Sequence, residues 1–143
     1  MAAKGNSYSN SLLQLIFNAT SITGLAINAT SSPVTNLYVS LHTASPGAAG
    51  NQSSNEASYT SYARQPVQRT SSGWTVTTTS VDPVANITFP TATGGSETET
   101  YVGVGTLITG NGVLLYFGPL NPTIPVSSGI TPVLGVGSII SES

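Results

Sequence analysis

Cysteine is absent from this sequence, and with it go disulfides, thiolate nucleophiles and cysteine metal sites. Charge is nearly absent as well: the 143 residues hold three Lys or Arg, five Asp or Glu and one His. Three cations cannot build the positive face that phosphate neutralisation needs, so nucleic acid is not expected as a partner. With one His and one Asp, a catalytic triad has to combine His42, Asp82 and one of many serines, and no GxSxG elbow accompanies them. The scattered carboxylates include no His pair and no Asp-rich loop, so neither a metal nor another cofactor is expected. Gly103-Val104-Gly105 has part of a dinucleotide fingerprint, but no helix is predicted to follow it. No apolar run approaches the length of a membrane span, and the N-terminal MAAKGNSYSNS lacks the apolar core of a signal peptide; no membrane partner is expected.

What takes the place of charge is Ser and Thr, beside an ordinary 38% of hydrophobic residues. A net charge of −2 gives little protection against association, which suits a chain packed into an assembly. A secreted β-domain with a polar, uncharged surface is the alternative from composition. The length predicts a single domain over residues 1–143. Residues 1–8 read as a loose arm and residues 9–19 as a short helix, with Ser9 or Asn10 as N-cap. Leu12, Leu13, Ile16 and Phe17 form its apolar stripe, to be covered by the chain's own sheet or by a neighbouring subunit.

From there on the pattern is β. Leu37, Val39 and Leu41 alternate with Tyr38, Ser40 and His42, which places His42 opposite the aliphatic face, at a surface or interface. Ala44-Ser45-Pro46-Gly47 turns the chain, and a polar loop returns it through Tyr59 to Arg64. Pro66 makes the continuing run an edge strand or a bulged one. Trp74 and Val76 alternate with threonines in a β-branched strand, so Trp74 is expected inside. Asp82-Pro83 punctuates, Ala85 to Phe89 forms a short strand, and Pro90 to Glu99 reads as a polar loop. Tyr101 to Thr109 is the next strand, whose Gly103 and Gly105 leave room for a close neighbour, an aromatic ring among the options. Gly110-Asn111-Gly112 signals a type I′ hairpin, and Val113 to Phe117 returns before Gly118-Pro119 and Asn121-Pro122 break the run. Ile124 to Val126 is a short segment, and Thr131 to Ile140 the last strand. Seven or eight short strands with evenly spaced turns predict an all-β, antiparallel β-sandwich or barrel with one short N-terminal helix.

The run LYVSLHTASPG (Leu37 to Gly47), then NEASYTSYAR (Asn55 to Arg64) and RTSSGWTV (Arg69 to Val76), resembles small virion structural proteins of tailed bacteriophages. ITFPTATGG (Ile87 to Gly95) and TYVGVGTLITGNGVLLYFGPL (Thr100 to Leu120) extend the resemblance over most of the chain. Members of that family are described as capsid cement (decoration) proteins or, loosely, as tail fibre proteins. The resemblance implies a jelly-roll-like sandwich, no enzymatic activity, and a place on the outer surface of the capsid. It further implies the major capsid protein as partner, and self-association as a homodimer in preference to a trimer. A tail-associated or fibre component involved in host attachment is the second reading.

Tyr59, Tyr62, Arg64 and Arg69 are the candidate interface residues. Tyrosine beside arginine is the composition of interface hot spots, and these are two of the three basic residues in the chain. The two arginines are expected to hold intermolecular or loop-anchoring positions, the simplest alternative being a pair with Glu56. Tyr59, Tyr62, Trp74, Tyr101, Tyr116 and Phe117 also fit the sugar-facing side of a carbohydrate-binding module. Glu97 and Glu99 share one side of an extended segment as a glycosidase pair would, but read as solvated loop acids.

Overall fold

The computed structural model describes residues 4–137 and 140–141. One helix, α1 (Asn6–Asn18), precedes β1 (Asn36–His42), β2 (Gln65–Gln68), β3 (Trp74–Thr77), β4 (Ser80–Pro83) and β5 (Ile87–Thr88). The chain then continues through β6 (Ser96–Gly105), β7 (Leu114–Ser127), β8 (Val133–Leu134) and β9 (Ile140–Ser141). The fold is all-β with one short N-terminal helix, as expected, and the ladders β1–β6, β3–β4, β4–β9, β5–β8 and β6–β7 are antiparallel. Among the described residues three sheets result, ordered β2-β1-β6-β7, β3-β4-β9 and β5-β8. The chain divides into two compact units interleaved in sequence: residues 1–36, 67–86 and 135–143 in one, residues 37–66 and 87–134 in the other.

In the first unit α1 packs on β3 and β4. Leu13, Phe17, Trp74 and Val81 are buried there, with the Phe17 and Trp74 rings edge to face at 4.9 Å. The helix stripe therefore docks within its own chain. The helix starts earlier than the capping residues suggest: Asn6 to Tyr8 are helical, Gly5 stands at the N-cap without a side-chain bond, and Ser9 lies buried inside the helix. Once docking of Leu13 and Phe17 has nucleated the turn, each added residue gains a hydrogen bond, and Ser9 N donates to Gly5 O. The expected arm over residues 1–8 is shortened accordingly, its first three residues lying outside those described. At the other end Ala19 adopts a left-handed φ of 56° and caps back to Gln14 O.

The β3–β4 hairpin pairs Thr77 with Ser80, leaving a two-residue turn in which Thr78 has a φ of 49°. Pro83 does not punctuate but pairs with Trp74 inside β4, because β9 reaches only Ser80 and Val81 on the other side. The expected last strand divides: β8 pairs with β5 in one unit and β9 with β4 in the other.

In the second unit β1 and β6 are the inner strands. Leu37, Val39 and Leu41 are buried as the alternation predicts, but so are Ser40 and His42 on the opposite face. Tyr59 to Arg64 is irregular backbone tied by an isolated bridge between Thr60 and Gly94, not a returning strand. The strand begins at Gln65 and runs along the sheet edge, where Pro66 is tolerated. β6 starts at Ser96, so Glu97 and Glu99 are strand residues, not loop acids. β7 continues for 14 residues through Pro119 and Pro122, which were expected to break it, and takes in the separate short segment expected at Ile124 to Val126. As the outermost strand it needs inward hydrogen bonds only, and proline removes a donor without ending the ladder. The β6–β7 connection is not a type I′ turn. Gly110 and Gly112 have positive φ but Asn111 does not, and the loop closes more widely through Thr106 N to Val113 O at 3.2 Å.

Trp74 is only 2% exposed and its ring wall is Phe17. Trp74→Ala is expected to destabilise the fold by about 3–5 kcal/mol, read as a lowered denaturant midpoint with a cavity left beside Phe17. Unchanged unfolding would contradict this packing.

Candidate functional site

The second unit gathers an unusual set of polar side chains beneath the β6–β7 loop. Arg64, 4% exposed, grips Glu56 with a fork: Nε donates to Oε1 at 2.6 Å and Nη2 to Oε2 at 2.7 Å. Its remaining donors reach Leu107 O at 2.9 Å, Gly110 O at 2.8 Å and Ser53 Oγ at 3.2 Å. Tyr62 OH donates to Glu56 Oε1 at 3.0 Å and accepts from Leu41 N at 3.1 Å, tying the same group to β1. Fully buried Gln52 completes the clamp. Its Oε1 accepts from Thr106 N and Leu107 N, both at 2.9 Å, and its Nε2 donates to Leu107 O at 3.1 Å. Its backbone N donates to Asn111 O at 2.8 Å.

The glycines are what admit this clamp. A Cβ on Gly105 would stand 2.2 Å from Gln52 Cδ, and one on Gly112 2.0 Å from Gln52 Oε1. At Gly103 a Cβ would meet His42 Nε2 at 2.7 Å and Ser40 Oγ at 2.8 Å. The close neighbours of the strand glycines Gly103 and Gly105 are thus His42, Ser40, Leu114 and Gln52, where an aromatic ring was among the expectations.

His42 is fully buried, which corrects its expected place at a surface or interface. The reason is the cover supplied by the Asn51–Glu56 segment, which bridges back to β1 at His42–Glu56. Nδ1 faces Ser54 O at 2.9 Å and so carries the hydrogen, which leaves Nε2 to accept from Ser40 Oγ at 2.9 Å. Burial holds its pKa below the ordinary value, keeping the ring neutral. This resembles the serine–histidine half of a hydrolase site, but both residues are fully buried. The pair closes the sheet interior. Among the described residues no group of three or more His, Cys, Asp or Glu is gathered to hold a metal ion.

Glu97 and Glu99 also differ from the solvated acids expected. Glu97 receives Ser58 N at 2.7 Å, Tyr59 N at 2.8 Å and Ser58 Oγ at 2.9 Å. Burial alone would raise its pKa, but these donors, with Glu99, hold it below the usual value. Glu99 is fully buried and no N–H or O–H among the described residues reaches its oxygens. Its contact is the carboxyl of Glu97, and two anions there would repel. Burial, the hydrogen bond to Glu97 and its charge push Glu99 up to about 8, so Glu99 keeps the proton and donates it to Glu97.

The four residues expected at an interface all have work inside the chain. Tyr59 is 3% exposed, donates its hydroxyl to Pro90 O at 3.0 Å and meets the Tyr62 ring edge to face at 5.3 Å. Tyr62 stacks on Phe89, with centroids 6.3 Å apart. These two and Arg64 come together in the second unit, whereas Arg69 lies in the first. There Arg69 binds carbonyl oxygens: Leu15 O and Ile16 O in the last turn of α1, Val34 O at 3.2 Å and Asn28 Oδ1 at 2.7 Å. A cation at that helix end satisfies carbonyls that have no partner along the helix. Both arginines therefore anchor loops, and Arg64 also makes the pair with Glu56. Gln52 and the buried state of Glu99 were missed by sequence reasoning; the paired glycines of β6 were the available signal for the former.

Arg64→Ala leaves Glu56 without its fork and frees the β6–β7 loop, so unfolding free energy should drop by about 3–5 kcal/mol. Arg69→Ala removes contacts to neutral carbonyls only and should cost about 1–3 kcal/mol in the same denaturant titration. For Glu99, the unfolded chain loses the proton near the ordinary 4.5 while the fold keeps it to about 8. Its contribution is complete below about 4.5 and lost as pH rises through about 8. The lowered His42 and Glu97 act oppositely, contributing above their ordinary 6.5 and 4.5 and losing that as pH falls. Between about 6.5 and 8 the Glu99 slope should stand alone, at up to about 1.4 kcal/mol per pH unit. Glu99→Gln, which still offers Glu97 a neutral donor, should abolish that slope in melts across this window.

The polar side chains of the site hold loops in place. A search among curated proteins finds no match. The sequence model of the family described as Podophage GP4 fiber I protein gp80 matches residues 4–141. A match of that extent means that the protein belongs to the Podophage GP4 fiber I protein gp80 family, a bacteriophage structural family.

Proposed function

We propose that this chain is a non-enzymatic cement protein that binds the outer surface of the phage capsid and stabilises the shell. Its partner in this reading is the major capsid protein, and it acts as a homodimer in a jelly-roll-like sandwich arrangement. The observation that carries the reading is the direction in which charge is turned. Arg64, Glu56, Glu97 and Glu99 are spent on loops and strands of the second unit, and Arg69 on the end of α1. What is left facing solvent includes Leu25, Ile27, Leu107, Ile108 and Val113, each about half exposed or more. A surface of that kind attaches through apolar and hydrogen-bonded contacts and suits a chain that lives against another protein. Area buried across subunit boundaries then has to be given up before a capsomer leaves.

The second reading is a tail-associated or fibre component involved in host attachment, in keeping with the word fiber in the family's description. Imaging particles with labelled protein separates the two: many copies over the head support cementing, a few at the tail support the fibre role. Salt offers a further test. Exposed ion pairs are screened within about 10 Å at 0.1 M. Retention on capsids should therefore be nearly equal in low and high salt, and release by moderate salt would count against attachment of this kind.

A further inference from the structure

We propose that the β6–β7 loop is a preformed apolar plug that seats in an uncharged pocket of the phage shell protein, an inference that rests on the cement reading above. Leu107, Ile108 and Val113 are exposed by 49%, 51% and 60% within one loop. Exposed loops are ordinarily the mobile parts of a domain. This one is held from below at Thr106, Leu107, Gly110 and Asn111 by Gln52, Ser53 and Arg64, the last fixed in turn by Glu56. Those contacts bury polar side chains to order a segment whose aliphatic side chains then cover little of their own chain. That combination is what binding requires: the ordering cost of the loop is met on folding and not at the moment of contact.

The chemistry of the occupant follows from charge and size. Thr106 to Val113 contains no ionisable residue, and the guanidinium beneath it is matched by the Glu56 carboxylate. The partner surface is therefore apolar and uncharged. Size argues against a second copy of this chain. Three half-exposed aliphatic side chains cover far less than the ~800 Å² per partner that a stable dimer buries. They are instead of the size of an anchor that fills one pocket at the centre of a larger contact.

The test uses the full chain and phage shells assembled without it. Ile108→Asp and Leu107→Ser should melt like the parent, since both side chains face solvent. At a fixed protein concentration their occupancy on shells should fall by about tenfold or more. Val113→Thr, nearly isosteric, should fold in any case and weaken decoration in the same direction. If the variants decorate as well as a parent that decorates, the plug is wrong and the cement reading stands. If the parent itself does not bind shells, the cement reading fails. If the variants convert a dimer to monomers in light scattering before any shell is added, the loop seats on a second copy and the proposal is overturned.

Discussion

The second unit depends most on one electrostatic contact, the fork between Arg64 and Glu56. A buried ion pair is weak evidence of stability by itself, because desolvation can offset its attraction. Here its value lies in what the pair positions. Glu56 fixes the guanidinium, the guanidinium fixes Leu107 and Gly110, and Tyr62 ties Glu56 to β1. Gln52 works in parallel on the same loop through four hydrogen bonds. Without this scaffolding the wide β6–β7 connection would have no hydrophobic reason to hold one shape, since its aliphatic residues point outward.

The same logic recurs in the first unit with neutral acceptors. Arg69 collects carbonyls from the end of α1 and from Val34, joining a short helix to the irregular segment that follows it. Three cations in 143 residues is very few, and two of them serve as multidentate braces for backbone oxygens. Arg suits this because its planar fork presents five donors, where Lys would offer a single point charge. The carboxylates follow the pattern: Glu97 receives two backbone amides, and Glu99 stays protonated to support it. Charge in this molecule works largely inside the chain, which bears on how it meets a partner.

Much of the architecture was legible in the residues themselves. The period-two alternation of Leu37, Val39 and Leu41 and of Trp74 and Val76 gave the strands, with all but the half-buried Val76 inside. The stripe ending at Leu13 and Phe17 gave the helix, and Pro66 gave the edge. Where local rules misled, a neighbour had decided. Pro119 and Pro122 do not stop β7, because strand order put it outermost. Asn111-Gly112 does not form the tight turn it favours, because Gln52 occupies the space beside Gly112 and holds the loop open.

The sequence by itself determined composition-level facts: an all-β class, the lack of cysteine, and a chain poor in charge and rich in Ser and Thr. These follow from residue type and short-range periodicity, which need no knowledge of strand order. Only the tertiary structure decided which polar residues are buried. His42 sits under Asn51–Glu56, Gln52 under residues 106–112, and Glu99 against Glu97, across separations of 12 to 55 residues or on a strand face that local pattern calls solvent. Burial of a polar group depends on what crosses over it, and the chain that crosses lies far away in sequence.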